Sequence, residues 1–305
     1  MISLSSSSTL EQAMRTVETN LPSQYSSQEA KSIARRIVMH YTQSSFTQLM
    51  LRCKDTLLSE RQAKDLIHSI EALQKGIPMQ YVIGEVEFGP LTLSVAPGVL
   101  IPRPETEELC TLVVEDLQRQ PTTLPRNIAD IGTGSGCIAL YLAYYLRQDR
   151  IFAIEKENNA IQIARINIER CSTKDHFSPP VLVQNDLLTL SQSPSKEPWE
   201  YIDVIVSNPP YIPLREKEFI EDHVLNHEPH SALFVPDSDP LLFYKALLNF
   251  ALYHSSKKGV SIYCETHHQY ACDVVNIFRG NPKVQDIEVR KDFSGKERFV
   301  IAHLR

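Results

Sequence analysis

Two short stretches hold the residues best suited to chemistry. The first, Asp130-Ile131-Gly132-Thr133-Gly134-Ser135-Gly136, closes a β-rich run and opens an apolar helical stretch from Cys137 to Tyr145. Glycines at such a junction let backbone approach a ligand closely and expose N–H groups at a helix start, which suits a nucleotide-like cofactor. Cys137 stands where the dinucleotide fingerprint has its third glycine, and no Lys-Ser/Thr follows as a phosphate-binding P-loop requires. The second stretch is Ser207-Asn208-Pro209-Pro210-Tyr211-Ile212-Pro213, again directly after a β-rich run. Its prolines leave few backbone choices, so Asn208 is held in a fixed direction.

That direction has a chemical use. An amide nitrogen is a poor nucleophile because its lone pair is delocalised into the carbonyl, and to attack a methyl sulfonium it must aim that pair along the S–C axis. The Asn208 side-chain oxygen and the Pro209 carbonyl could each accept one N–H bond, orienting the nitrogen and stabilising the positive charge it gains. No strong general base is then needed, and none stands out. Tyr211 can pack on the planar group being methylated.

Further candidates lie at the ends of the neighbouring β-rich runs. Glu155 stands where an acid hydrogen-bonds ribose hydroxyls in folds of this type, and a carboxylate suits a cationic sulfonium cofactor better than a pyrophosphate. In Asn185-Asp186-Leu187, Asp186 could meet an adenine amino group and Leu187 its ring, although a plain turn or helix cap explains Asp186 nearly as well.

The elements that must position these groups follow from periodicity. Residues 8 to 76 read as helices only: Leu10, Ala13, Met14, Val17 and Leu21 on the first, with Ser8 and Glu11 as a capping box, and Ala63, Leu66, Ile67, Ile70 and Leu73 on the fourth, capped by Ser59 with Gln62 and stopped at Gly76. The pattern over 1–76 predicts a small helical bundle. From Tyr81 to Val95 alternation around Gly89-Pro90 predicts a β-hairpin linker, assigned to 77–98. Over 99–305, β-rich runs at Ile128–Asp130, Ile151–Glu155, Val181–Gln184, Asp203–Ser207 and Val260–Glu265 alternate with helical stretches, the signature of an α/β domain with a mostly parallel sheet covered on both faces. Val284–Glu288 and Arg298–Leu304, around a Ser294-Gly295 turn, predict an antiparallel edge pair.

Composition narrows the function class. The 305 residues are 42% hydrophobic and 22% charged with a net charge of −6, so the chain is a folded globular protein with no global attraction to nucleic acid. The six cysteines show no metal-ligand spacing, and the opening residues lack both a basic region and an apolar run of signal-peptide type. A cytoplasmic protein without membrane association is expected. His223, His227 and His230, and the pair His267 and His268, lack a second ligand set, so they read as solvated or packing residues and no metal is expected.

The Asn208–Tyr211 and Asp130–Gly136 motifs resemble those of amino-methylating class I methyltransferases. Val99-Leu100-Ile101-Pro102-Arg103-Pro104-Glu105-Thr106-Glu107-Glu108-Leu109, preceded by Tyr81 to Phe88, resembles the signature of the PrmC/HemK family of protein-(glutamine-N5) methyltransferases, and the resemblance spans nearly the whole chain. It implies a class I S-adenosylmethionine-dependent methyltransferase fold, Rossmann-like with a seven-stranded sheet, and transfer from S-adenosylmethionine, leaving S-adenosylhomocysteine. The acceptor would be the glutamine of the Gly-Gly-Gln motif in class I peptide chain release factors, which act in translation termination. Gly132, Thr133, Gly134, Ser135, Gly136, Glu155, Asp186, Leu187 and Asn208 would then hold the cofactor. Asn208, Pro209, Pro210, Tyr211 and Arg103 would hold the substrate, and the helical bundle would help grip the release factor. Where the family has Gly-Gly after a Glu-Pro-x-x-Ala-Leu stretch, this chain continues Phe234-Val235-Pro236-Asp237, and near Glu265 it reads Thr266-His267-His268 where a glycine is common. The rival substrates are a ribosomal-protein glutamine and an adenine or guanine amino group of nucleic acid. A non-catalytic cofactor-binding module is the rival from another class.

Overall fold

The computed structural model describes all residues except 1, 24, 121, 123, 174–176, 193, 195 and 196. In chain order helices come first, α1 (Leu10–Asn20), α2 (Ser27–Thr42), α3 (Phe46–Arg52), α4 (Glu60–Gln74) and α5 (Met79–Ile83), then the hairpin of β1 (Glu85–Phe88) and β2 (Leu91–Ser94). Next come α6 (Pro104–Arg119), β3 (Asn127–Ile131), α7 (Cys137–Tyr145), β4 (Arg150–Glu155), α8 (Asn158–Ser172), β5 (Val181–Gln184), α9 (Leu187–Leu190) and β6 (Val204–Ser207). After β6 the chain runs through β7 (Ile212–Pro213), a 3-10 turn (Leu214–Phe219), α10 (Asp222–His227), α11 (His230–Leu233) and β8 (Phe234–Val235). It finishes with α12 (Leu242–His254), β9 (Val260–Glu265), α13 (Ala271–Arg279), β10 (Val284–Lys291) and β11 (Glu297–Leu304).

The chain divides into two compact units: residues up to Glu85 with Glu221–His227, and Val86–Ile220 with Glu228–Arg305. In the first unit, α1 to α4 each begin with a capping box, in which a Ser or Thr and the Gln or Glu three residues on satisfy each other's backbone N–H: Thr9 with Gln12, Ser26 with Glu29, Ser45 with Gln48, Ser59 with Gln62. The first box is therefore one residue later than the expected Ser8–Glu11. Leu10 and Glu11 give their N–H groups to the Thr56 and Cys53 carbonyls, and Ser8 Oγ accepts from Ser5 N, so the helix frame starts at Thr9. Leu10, Val17, Ile37, Leu49, Leu66 and Ile70 form the unit's core. Residues 79–83, expected as part of an extended linker, are helix. Met79, Val82 and Ile83, at helical spacing, pack on that core, and Gly84 ends the turn with φ 81°.

The second unit is built on a seven-stranded sheet of order β10-β11-β9-β6-β3-β4-β5, parallel from β9 to β5 and antiparallel across β10, β11 and β9. The pleat sends successive residues to opposite faces. On β6, Val204 and Val206 join α6 and α7 in one core, while Ile205 joins α12 and α13 in the other. Covering both faces explains the near-continuous apolar strands. The hairpin of β1 and β2 is not a free linker, since Phe88, Leu91 and Leu93 are buried in the first of these two cores. No helix among the described residues is long and apolar enough to cross a membrane.

Candidate active site

Strand order places the chemistry. Sequence runs outward from β3 through β4 to β5, then returns to β6 on the other side of β3, so a crevice opens at the carboxyl ends of β3 and β6. Register does the rest. Ile131 pairs with both Ile154 and Ser207, and Ser207 with Cys264, so the next residues along, Gly132, Glu155, Asn208 and Glu265, line one edge of the sheet. Both motif loops thus leave the sheet side by side.

The crevice encloses about 1140 Å³, open solvent at its mouth included, and Ile131, Ile138, Val99, Leu100, Leu187 and Phe243 give it an apolar lining. Its floor is the glycine loop. Gly132 and Gly134 have φ of 75° and 57°, and a Cβ added at either would meet nothing within 4 Å, so the glycines both permit the turn and leave the space above it clear. The loop's N–H groups are largely committed to the protein. Gly132 N and Thr133 N donate to the Ile154 carbonyl, Gly136 N to the Thr133 carbonyl, and Gly134 N to Glu155 Oε2 at 2.9 Å.

Glu155 is 8% exposed and lines the crevice; its other oxygen accepts from Lys156 N and Glu157 N. Its place is set by three backbone donors, and a carboxylate so held keeps lone pairs for a ligand. Asp186 and Leu187 also line the crevice, with Asp186 capping α9 through Leu188 N and pairing with Lys156 Nζ at 3.2 Å, so it is a helix cap as well as a wall residue. Asp130 lies fully buried beneath the loop. Its Oδ2 accepts from Thr133 Oγ1 and Ala139 N, whereas Oδ1 has no partner among the described residues. Burial raises its carboxyl to about 7 against those two hydrogen bonds. A buried carboxylate oxygen without a partner under a clear glycine loop fits a cationic cofactor.

On the opposite wall, Asn208 Nδ2 donates to Thr106 Oγ1 at 2.8 Å, and Thr106 Oγ1 donates to Glu265 Oε2 at 2.8 Å. Asn208 Oδ1 has no partner among the described residues. Pro209 and Pro210 line the crevice beside it. Tyr211 does not. Its hydroxyl turns inward to Glu265 Oε1 at 3.2 Å and its ring packs against His267. Arg103 lines the crevice as the N-cap residue of α6, with Nη2 held 2.5 Å from Oε1 of Glu228, whose other oxygen accepts from Ile101 N.

Thr106 and Glu265 do not stand out in the sequence, where Thr106 lies among the acids that start a helix and Glu265 merely ends a strand. The pairing of Cys264 with Ser207 brings Glu265 to the site, and only sheet register carries that signal. Burial pushes the Glu265 carboxyl up to about 7, opposed by its hydrogen bond from Thr106 and by Arg298. Burial also raises the Cys137 thiol to about 12, which removes it as a nucleophile.

Residues 12–84 match the PrmC N-terminal domain and residues 103–228 the methyltransferase small domain. A release factor glutamine methyltransferase of Bacteroides thetaiotaomicron is 38% identical over 250 residues, covering 82% of this chain and 84% of that one. The chain belongs to the release factor glutamine methyltransferase family. Another member, from Bacillus anthracis, is 31% identical over 268 residues, 88% of this chain and 90% of that one. The fold, that of class I S-adenosylmethionine-dependent methyltransferases, reaches beyond the family. The hMettl16 catalytic domain, solved in complex with MAT2A 3'UTR hairpin 6, matches with a TM-score of 0.50 at 18% identity, covering 82% of this chain and 83% of that one, a likeness of fold alone.

Proposed function

We propose that this protein transfers a methyl group from S-adenosylmethionine to the side-chain amide nitrogen of the glutamine in the Gly-Gly-Gln motif of class I release factors. The observation that carries the reading is the Asn208 side chain, whose nitrogen is committed to Thr106 and whose oxygen is left free at the crevice wall. Together with the Pro209 carbonyl, that oxygen accepts the two N–H bonds of the incoming amide, turns its lone pair toward the methyl group and stabilises the charge the nitrogen gains. The cofactor supplies an electrophilic methyl on a sulfonium. Gly132 to Gly136 form the floor beneath it, Glu155 takes the ribose hydroxyls, Leu187 packs on the adenine, and the free Asp130 oxygen offsets its positive charge. No protein base is required, because the methylated amide sheds its extra proton to water. The first unit is read as a grip on the release factor, and the reaction is proposed to run in the cytoplasm.

Labelled S-adenosylmethionine is incubated with the protein and a class I release factor, alongside a release factor whose Gly-Gly-Gln glutamine is alanine. Label should enter only the intact motif. Equal labelling of both, or of neither, overturns the substrate assignment.

A further inference from the structure

The clamp works only if Asn208 shows the substrate oxygen and not nitrogen, and a free asparagine amide can turn either way. We propose that Thr106 and Glu265 are positioning residues that lock the Asn208 amide with its oxygen toward the crevice, an inference that rests on the glutamine-methylating reading above. The polarity begins at Glu265, 1% exposed, which as a carboxylate can only accept. Thr106, 3% exposed, has one proton to give and gives it to Glu265 Oε2, so toward Asn208 it can only accept. Asn208 must therefore turn its NH₂ to Thr106, as observed at 2.8 Å. The reversed amide would set its oxygen against a hydroxyl oxygen with no proton between them, leaving buried acceptors unpaired. Tyr211 completes the set by donating to the second Glu265 oxygen, which accounts for its inward turn.

The same chain of bonds makes the clamp sensitive to pH. Facing Glu265 are Arg298 from β11, which favours its charge, Glu105 from α6, which opposes it, the buried thiols of Cys110 from α6 and Cys264 from β9, whose own ionisation it opposes, Tyr211, which donates to it, and Tyr244 from α12, whose hydroxyl donates to the Glu265 carbonyl. Burial outweighs these and brings the carboxyl to about 7. A proton on Glu265 gives the carboxyl an O–H of its own; when that O–H donates to Thr106 Oγ1 the bond reverses, the threonine proton is released toward Asn208, and the amide is no longer held one way round.

The test measures single-turnover transfer to a purified class I release factor by the full-length protein at saturating S-adenosylmethionine. Thr106→Val should slow transfer about 10- to 100-fold with cofactor affinity within about twofold, and Thr106→Ser should recover to within about threefold of wild type. The wild-type rate should climb with pH through about 7, and Glu265→Gln, which cannot titrate there, should give a flat profile. A Thr106→Val rate near that of wild type, a serine that fails to rescue, or a pH rise absent from wild type or kept by Glu265→Gln overturns the relay. No transfer by the wild type at any pH would instead refute the functional reading beneath it.

Discussion

Replacing Asn208 by alanine removes one of the two acceptors while the Pro209 carbonyl and the glycine floor stay in place. Transfer should fall by about 100-fold or more, with cofactor affinity kept within about tenfold, in a paired rate measurement and binding titration. Glu155→Ala removes the group that both faces the crevice and ties down Gly134 N, so S-adenosylmethionine should bind at least about tenfold more weakly; an unchanged titration would remove the ribose role. Asp130 adds a pH dependence of its own. Burial lifts its carboxyl to about 7, so it is largely neutral at pH 6 and ionised at pH 8. An anion beside a cationic cofactor binds it better, so affinity should rise across that interval in the wild type and stay level in Asp130→Asn. Asp130 acts on binding and Glu265 on transfer, so measuring both separates the two titrations.

Among the elements, the helix caps are the plainest local signals. Ser59→Ala should lower stability by about 1 kcal/mol, read as a shift in the urea midpoint, because Gln62 N loses its partner at the start of α4. A second effect ties α12 to α9. His254 accepts from Trp199 Nε1 at its Nδ1, and its Nε2 faces the Leu190 carbonyl, a pattern that needs the neutral ring. Burial lowers its pKa below the usual histidine value, so between the two values the folded state binds fewer protons than the unfolded. Its contribution is therefore present above pH 6.5 and lost as pH falls through the folded value, and the midpoint should drop less between pH 7 and 5.5 in His254→Asn than in the wild type. Strand and cap positions are legible in sequence because they depend on nearest neighbours: Ser59 with Gln62, or the apolar run of Ile151 to Ile154. The Thr9 frame and the α5 helix are not, because carbonyls from Cys53 and Thr56 and the packing of Met79 and Val82 decide them. In the site, Gly132 to Gly136 and Asn208 can be read from their spacing, while Glu265 comes into place only through register between distant strands and Thr106 only through the packing of α6 beside them.

At the level of the whole chain, the two units are linked more than once. The chain leaves the first at Glu85, and Glu221–His227 returns to it before Glu228 resumes the second. Removing residues 1–85 would strip α10 of the helices it belongs with, immediately before the buried Glu228 that holds Arg103 and Ile101 N in the crevice wall. Such a truncation should weaken S-adenosylmethionine binding severalfold as well as impair methylation of an intact release factor; unaltered cofactor affinity would show that the wall keeps its shape without α10. Inheritance and engineering are bound by the same stitch. A hybrid enzyme that borrowed only the N-terminal helices of a relative would fold them around an α10 selected for a different bundle, so any exchange of partner preference between family members has to carry residues 221–227 along with the first 85.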